Sequence, residues 1–264
     1  MLPLNKLETE TLRAEIVEPV LLEKEGHKMA PSFSLVIPVY DEANIVVESL
    51  NVLHKFLGRD NFELTVFDDC SGDGTRVKLK NAVTFWRNPQ MRLLHSATRI
   101  GKGGAIKNAV KKATGEVVMI MDVDLSADLR SLPILIREAR EKGGLVIGER
   151  SISDRSTQGF LRIMLSLAYN ALVRVFFRTG VEDHQCGFRA MRTDVARRLM
   201  AKTKNDGFVF DTELIVLARK FGVPVKRVPV KWMNNRSKRS NLKWVRIGAT
   251  MMKDLIMLKA RAAA

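Results

Sequence analysis

The sequence is poor in cysteine, in aromatic residues and in long apolar runs, and each shortage argues against a class of protein. The two cysteines in 264 residues, Cys70 and Cys186, form neither a disulfide framework nor a zinc-type spacing, and they suit a reducing compartment such as the cytoplasm. Aromatic residues make up only 6%, and no nucleic-acid-binding motif is recognisable. No stretch reaches the roughly 18 apolar residues of a membrane span. Any membrane contact is therefore expected at the surface.

Charge is strongly unbalanced. Lys and Arg outnumber Asp and Glu by 44 to 29, which gives a net charge of +15. This excess predicts anionic partners: nucleotide phosphates, nucleic acid or an acidic membrane surface. The hydrophobic content of 46% is ample for a core, and the length fits one large α/β domain or two small ones.

The chain divides into three segments by composition. Residues 1–30 carry several glutamates and no apolar block, so we interpret them as an acidic, helix-prone extension rather than a secretory signal. Residues 31–240 contain the strand and helix patterns of an α/β domain. Residues 241–264 read as a basic amphipathic helix.

The most informative stretch is EVVMIMDVDLS, residues 116–126, where an apolar run ends in two carboxylates. The run predicts a buried central strand. Because side chains alternate along a strand, Asp122 and Asp124 would point the same way at its carboxyl end. Hard cations such as Mg²⁺ or Mn²⁺ bind one or two carboxylates together with substrate phosphates. The alternative is a strand that simply leaves the core through solvated turn residues.

Two earlier strands are predicted to end in acidic loops. After the apolar run 33–40 comes Asp41, which is either a site residue or the N-cap of the next helix. After the run 63–69 comes CSGDGT. Asp69 could accept hydrogen bonds from a nucleobase or ribose, or it and Asp73 could merely fix turns.

A glycine-rich segment opens the next predicted helix. Gly101, Gly103 and Gly104 surround Lys102, and backbone amides at a helix N-terminus suit a phosphate. The segment is neither a Walker loop nor a dinucleotide fingerprint, so the signal is weak when taken alone. Together, the strand, loop and helix units predict a nucleotide-binding α/β half with neighbouring parallel strands.

The motifs PVYDE, DDCSGDGT, GKGGA and DVDLS, in this order, resemble the family 2 glycosyltransferases of GT-A fold. In the second half, DHQCGFR, FDTEL and VPVKW are similar to segments of the polyprenyl-phosphate sugar synthases. The resemblance covers about residues 33–244. It implies an α/β GT-A fold with a mixed, mostly parallel central sheet and flanking helices. It also implies transfer of a hexose, with inversion, from UDP-glucose or GDP-mannose to dolichyl or another polyprenyl phosphate, with Mg²⁺ or Mn²⁺ as cofactor, at the cytoplasmic membrane face.

The resemblance also implies roles for particular residues. The predicted catalytic residues are Asp122, Asp124, Asp211, Glu213 and Arg189, of which Asp122 and Asp124 are the metal ligands. The nucleotide-sugar site is expected to comprise Pro38, Tyr40, Glu42, Asp69, Lys102, Asp122 and Gln185. From their charge alone, the acceptor phosphate could be placed by Arg189, Arg236, Lys238 and Arg239, because arginine favours bidentate phosphate contact. The alternative is that this basic cluster is solvated surface.

Several of these roles have alternatives. Arg239 and Asn241 stand near positions where relatives often have glycine and lysine, so the basic residue that contacts phosphate is left open. Asp211 could be only a helix N-cap. Cys186 is interpreted as a small packed residue rather than a nucleophile.

Two other functions compete with the transfer of a hexose to a lipid phosphate. A family 2 transferase could act on a saccharide hydroxyl, with Asp211 as the base. A more distant alternative is a basic nucleic-acid-binding protein, for which the sequence offers charge but no motif. If the acceptor is a lipid phosphate, we expect peripheral membrane binding through a helix at about 160–178 and the basic tail after Lys243. The helix could instead pack wholly into the core.

Overall fold

The computed structural model describes residues 32–58, 61–86, 91–150, 160–233 and 241–263. The predicted acidic extension at 1–30 and the predicted phosphate contacts Arg236, Lys238 and Arg239 lie outside the described residues.

Seven strands form one mixed sheet in the order β3-β2-β1-β4-β6-β5-β7. Only β6 runs antiparallel to its neighbours, β4 and β5, and the other pairings are parallel. The predicted mixed, mostly parallel sheet is confirmed. The strands are β1 Phe33–Val39, β2 Phe62–Asp68, β3 Met91–His95, β4 Val117–Ile120, β5 Leu145–Arg150, β6 Arg189–Arg192 and β7 Val225–Val230.

Helices cover both faces of the sheet. They are α1 Val46–Leu57, α2 Thr75–Trp86, α3 Gly101–Lys111, α4 Leu132–Lys142, α5 Phe160–Phe177, α6 Thr193–Met200, α7 Phe210–Lys220 and α8 Asn241–Ala263. One apolar core lies between the sheet and α1, α2 and α4. A second lies between the sheet and α3, α6 and α7. Apolar side chains of this kind are what a sheet buried on both faces requires.

Helices α5 and α8 form a further layer outside α7. Tyr169 and Val173 of α5 pack with Val216 of α7 and Leu255 of α8. The opposite side of α5 is exposed, with Val175 at 72% and Met164 at 49%. The helix is thus buried on one face only. The alternative that it packs wholly into the core is wrong. None of the helices within the described residues is long and apolar enough to cross a membrane.

The chain bends earlier after β4 than the apolar run predicts. The strand ends at Ile120, although the amide of Met121 still bonds to Val36 across the sheet at 3.1 Å. Residues 122–125 then form a turn in which Leu125 has φ 47°. The prediction that strand alternation orients Asp122 and Asp124 is therefore wrong. Both residues lie beyond the end of β4, and the turn sets the directions of their side chains.

Two N-cap alternatives are also wrong. Helix α1 begins at Val46 with Ile45 as its cap, whereas Asp41 lies further back in the loop with φ 51°. Helix α7 has Val209 as its cap, and Asp211 is its second residue. Neither aspartate is therefore a helix N-cap.

Candidate active site

A narrow cleft beyond the carboxyl end of β4 contains the D-x-D pair. Asp122 and Asp124 both line it, with Gly187 and Phe188 on one side and Trp232 on another. Asp124 is buried and accepts a hydrogen bond from the amide of Ser126 at 3.1 Å. The structure therefore brings the two predicted metal ligands to one place, by a turn rather than by strand alternation.

Lys102 joins the D-x-D pair to α7. Its ammonium nitrogen lies 2.9 Å from Asp122 Oδ1 and 3.3 Å from Asp211 Oδ2. Burial lowers the pKa of Lys102, but the two carboxylates outweigh it and raise the pKa above its ordinary value. Lys102 therefore stays a cation in contact with both parts of the site. Position 102 is held there because Gly103 packs against Phe210 so closely that a Cβ would overlap its ring.

Asp211 is enclosed by cations on both of its oxygens. Oδ1 accepts a short hydrogen bond from Arg189, and Oδ2 faces Lys102. Arg189 is only 1% exposed, and its other terminal nitrogen donates to the carbonyl of His184 at 3.0 Å. The structure thus places Arg189 below the site as the counter-ion of Asp211. The sequence predicts a contact between Arg189 and the acceptor phosphate. The burial of Arg189 favours a different role, that of holding Asp211.

Glu213 and Gln185 meet different surroundings. The carboxylate of Glu213 accepts the amides of Lys204 and Asn205 at 2.9 and 2.7 Å, so it anchors the loop before α7. Its described contacts do not include the D-x-D pair. Gln185 is half-buried and lies near Ser166 of α5, with 3.5 Å between the side-chain oxygens.

Cys186 is fully buried, and burial raises the pKa of its thiol to about 12. A thiol kept protonated in this way is a poor nucleophile. The prediction that Cys186 is a packed residue rather than a nucleophile is supported by this environment.

The loops after β1 and β2 form a second part of the site. Both oxygens of Asp69 accept backbone amides, from Ile100 at 2.7 Å and Gly101 at 2.8 Å. Burial raises the pKa of Asp69, against the lowering effect of these amides. Asp69 thus fixes the start of α3. Its contact with a nucleobase stays a prediction.

The start of α3 has further backbone partners, because the amides of Gly103 and Gly104 both bond to the carbonyl of Asp206. Those two amides are therefore bonded to the protein itself. The prediction that they bind a phosphate at the start of the helix is wrong. Lys102 is the residue of this segment that contacts the D-x-D pair, through Asp122.

The remaining residues of the predicted nucleotide site lie at the end of β1. Pro38 is half-buried within the strand, and the guanidinium carbon of Arg99 sits 3.8 Å from the ring centroid of Tyr40. The amide of Glu42 donates to Thr75 at 2.9 Å. Asp73 accepts hydrogen bonds from Ala43 and Thr75, so its turn-fixing role is confirmed. These contacts tie the two loops together.

Sequence reasoning missed Gly187, Trp232 and Arg150 as parts of the site. A Cβ at Gly187 would overlap both carboxylate oxygens of Asp122. Trp232 pairs with Ala127 across the cleft, and the guanidinium of Arg150 lies 4.9 Å from its ring centroid. Arg150 is itself buried in an ion pair with Asp183. Gly187 and Trp232 stand inside the motifs QCGF and VPVKW, but a motif does not say what its residues touch.

The residues present fit a divalent cation. Two carboxylates open to one cleft supply the hard oxygen ligands that Mg²⁺ and Mn²⁺ prefer, and substrate phosphates would complete the coordination. Among the described residues, no group of three or more His, Cys, Asp or Glu side chains is placed to hold a metal ion.

The sheet, the acidic loops and the cleft at the carboxyl ends of the strands are the arrangement of an α/β protein that binds its ligand at one edge of the sheet. The profile of the family described as Glycosyl transferase family 2 matches residues 34–200, and the chain belongs to this family. The resemblance inferred from the motifs is thereby confirmed, and the protein is a glycosyltransferase.

Curated relatives include a glycosyltransferase and dolichyl-phosphate glucosyltransferases. The chain is 33% identical to glycosyltransferase AglD of Haloferax volcanii over 75% of its own length and 32% of the relative. It is 26% identical to a dolichyl-phosphate β-glucosyltransferase of Dictyostelium discoideum, over 92% of this chain and 78% of the relative. The chain thus spans about a third of the first relative and most of the second.

Solved structures share the fold. Glucosyl-3-phosphoglycerate synthase from Mycobacterium tuberculosis, in complex with phosphoglyceric acid, superposes with a TM-score of 0.68 at 18% identity, over 87% of this chain and 80% of that one. Mannosyltransferase PcManGT from Pyrobaculum calidifontis, in complex with GDP-Man and Mn²⁺, gives 0.59 at 21% identity, over 88% and 66%. The predicted GT-A fold is confirmed.

Proposed function

We propose that the protein transfers one hexose, with inversion, from UDP-glucose or GDP-mannose to a polyprenyl phosphate such as dolichyl phosphate. The relatives named dolichyl-phosphate β-glucosyltransferase support the acceptor class and favour glucose as the sugar. Mn²⁺ in the complexes of structural neighbours supports a divalent cation as cofactor.

The observation that carries the acceptor class is the pairing of Asp211 with two cations. A sugar hydroxyl needs a general base, and Asp211 is the carboxylate that family position offers for this task. Its two oxygens are engaged by Arg189 and Lys102. Loss of either ion pair would leave a buried charge uncompensated, which is unfavourable, so Asp211 is committed to these two partners. A phosphate monoester, with a second pKa of about 6, is already largely ionised and requires only placement.

The donor would lie between the two halves of the site. The nucleoside would meet the loops that contain Tyr40 and Asp69, and the diphosphate would reach Asp122 and Asp124. A cation held there would stabilise the negative charge that grows on the leaving nucleoside diphosphate. Lys102 offers a second positive charge from the protein itself.

Attack by the acceptor oxygen on the anomeric carbon, opposite to the leaving group, inverts that carbon in one displacement. The reaction needs no covalent intermediate, in agreement with the buried, protonated thiol of Cys186. In this proposal the acceptor phosphate would be placed by Arg236, Lys238 and Arg239, and Arg189 would act indirectly by holding Asp211.

The acceptor implies a membrane, and we place the docking surface on α5 and α8. The two helices run in parallel, since Gly248 lies near Leu165 and Lys259 bonds to the carbonyl of Phe176. Their outer faces expose apolar side chains bordered by cations. The apolar ones are Met164, Leu165, Leu167, Val175, Ile256 and Met257, and the cations are Arg174, Arg178, Lys253 and Lys259.

Apolar side chains flanked by cations fit the headgroup region of an anionic bilayer. Each surface cation contributes about 1 kcal/mol near anionic lipid, and an amphipathic helix lies in the plane of the interface. We propose peripheral binding at the cytoplasmic face. Charge complementarity and the lipid-borne acceptor together favour lipid as the occupant of this surface.

One assay tests the reaction directly. Purified protein is incubated with labelled UDP-glucose or GDP-mannose and a short polyprenyl phosphate, with Mn²⁺, with Mg²⁺ or with a chelator. We expect label in the organic phase only when a divalent ion is present. Label in the aqueous phase with a saccharide or 3-phosphoglycerate, and none in lipid, would reject the proposed acceptor.

Vesicle flotation tests the membrane part separately. The protein should rise with anionic liposomes at low salt and less so as salt is increased, because the cations are screened. Val175→Asp together with Ile256→Asp should weaken flotation, whereas Val77→Asp, on an exposed apolar site of α2, serves as the matched control. If the wild type stays at the bottom of the gradient in the presence of anionic liposomes at low salt, the proposed docking surface is wrong.

A further inference from the structure

Helix α5 carries a buried amide on the side that faces the site. Asn170 is 1% exposed. Its Oδ1 accepts two hydrogen bonds from His184, one from the backbone amide and one from Nδ1–H, each at 3.0 Å. Its Nδ2 donates to the carbonyl of Ser166 at 2.9 Å. Burial of an amide costs free energy unless it is bonded in this way.

The partners of His184 define one state of its imidazole. Because Nδ1 donates to Asn170, Nε2 accepts from the hydroxyl of Thr179, 2.6 Å away. Burial lowers the pKa of His184 to about 4, so the ring is neutral near pH 7. With the ring and the amide both held, the carbonyl of His184 points at Arg189, at 3.0 Å.

From this carbonyl an uninterrupted set of contacts leads to the D-x-D pair. Arg189 binds Asp211, and Asp211 faces Lys102. Lys102 contacts Asp122 at 2.9 Å. We call the series Asn170, His184, Arg189, Asp211, Lys102 and Asp122 the polar chain. Its first four members are buried, where water screens their interactions least.

We propose that Asn170 is a positioning residue for the transfer reaction, which acts through His184 and Arg189 to fix Asp211 and Lys102 and thereby the carboxylate of Asp122. An apolar residue would serve equally well to pack α5 onto the body, whereas only a side chain with an oxygen at this place holds both N–H groups of His184. The inference rests on the proposed function in one respect: it takes Asp122 as part of the donor site.

The test compares three variants. Asn170→Ala removes the oxygen that holds His184. Asn170→Asp is the conservative rescue, because it keeps an oxygen for His184 and, protonated in this buried place, it can still donate to the carbonyl of Ser166. Thr193→Val is the matched control, because it removes a buried hydrogen bond to the carbonyl of Gly115 at the opposite end of the sheet. For each we measure thermal unfolding, transfer kinetics, and the affinity for Mn²⁺ with UDP or GDP in the absence of acceptor.

We expect Asn170→Ala to weaken Mn²⁺–nucleotide binding and to lower kcat by about tenfold each, the range found for residues that orient ligands. The Asp variant should recover most of both. At an equal loss of thermal stability, Thr193→Val should keep the affinity and kcat. If Asn170→Ala does not fold, Thr179→Val tests the same imidazole from its other nitrogen, with the same expected direction.

Two results would overturn the inference. One is an Asn170→Ala protein with the affinity and kcat of the control. The other is a folded Asp variant as impaired as the Ala variant. If wild-type protein binds Mn²⁺ with nucleotide but does not modify polyprenyl phosphate, the proposed acceptor is wrong, while the affinities still decide the role of Asn170.

Discussion

Gly187 lies directly against the carboxylate of Asp122. A Cβ at this position would overlap both carboxylate oxygens. The segment before β6 that contains Gly187 therefore forms one wall of the cleft, and the absence of a side chain there permits the observed position of Asp122.

We expect Gly187→Ala to displace Asp122 and to lower kcat at least tenfold, equivalent to about 1.4 kcal/mol of barrier. Thermal unfolding should change far less, since the side chain that must move lies at the cleft. Gly248→Ala is the matched control, because its added methyl meets only an ordinary contact with Leu165. Unchanged kcat in the Gly187 variant would show that Asp122 tolerates displacement.

The D-x-D pair should be required for transfer. We expect Asp124→Ala to lower kcat by more than about tenfold, because removing one preorganised electrostatic contact commonly costs on the order of 3 kcal/mol of barrier. Asp122→Ala should cost less, since the charge of Asp122 is already balanced in part by Lys102. Kinetics at varied Mn²⁺ would measure both effects. Asp128→Asn, four residues further along, is the control, and a smaller loss in the Asp124 variant would exclude a metal-binding role.

Asp211→Asn separates the two acceptor classes. With a phosphate acceptor it should reduce kcat less than Asp124→Ala, because the acceptor arrives ionised. It should still reduce the free energy of unfolding by on the order of 3 kcal/mol, since Arg189 loses its buried counter-ion. Chemical denaturation and kinetics at saturating donor measure the two effects. Asp206→Asn is the control, and complete loss of turnover in Asp211→Asn would favour a hydroxyl acceptor.

The ion pair of Arg150 with Asp183 should hold the wall of the cleft. Both residues are buried, and Arg150 also faces the ring of Trp232. Arg150→Met should lower the free energy of unfolding by about 3 kcal/mol, because the buried carboxylate of Asp183 loses its counter-ion. The double variant Arg150→Met, Asp183→Asn should regain part of this loss in urea denaturation. Arg130→Ala, at an exposed ion pair, should have no measurable effect.

Stability should fall in mild acid because of His184. Its pKa is lowered by burial from 6.5 to about 4, so the unfolded chain binds more protons than the folded one between these values. The contribution is fully present above pH 6.5 and is lost as the pH falls. We expect a loss of about 1.6 kcal/mol between pH 6.5 and 5 from this residue. His184→Gln should flatten the dependence, and equal slopes in the variant and the wild type would contradict the assignment.

Much of the fold and of the donor side of the site follows from local patterns. Alternation and apolar runs identified β1, β2, β4 and α5 to within a few residues, because burial imposes a period on each element separately. The carboxylates at the ends of β2 and β4 could be assigned to one edge of the sheet because parallel strands end together.

Tertiary structure alone decided which of those residues touch. Lys102 and Asp211 are 109 positions apart in sequence, and their contact depends on α3 and α7 packing on the same face of the sheet. The burial of Arg189 depends on β6 lying antiparallel between β4 and β5. A sequence pattern states what a residue can bind, whereas its partner is chosen by long-range packing, which no local period encodes.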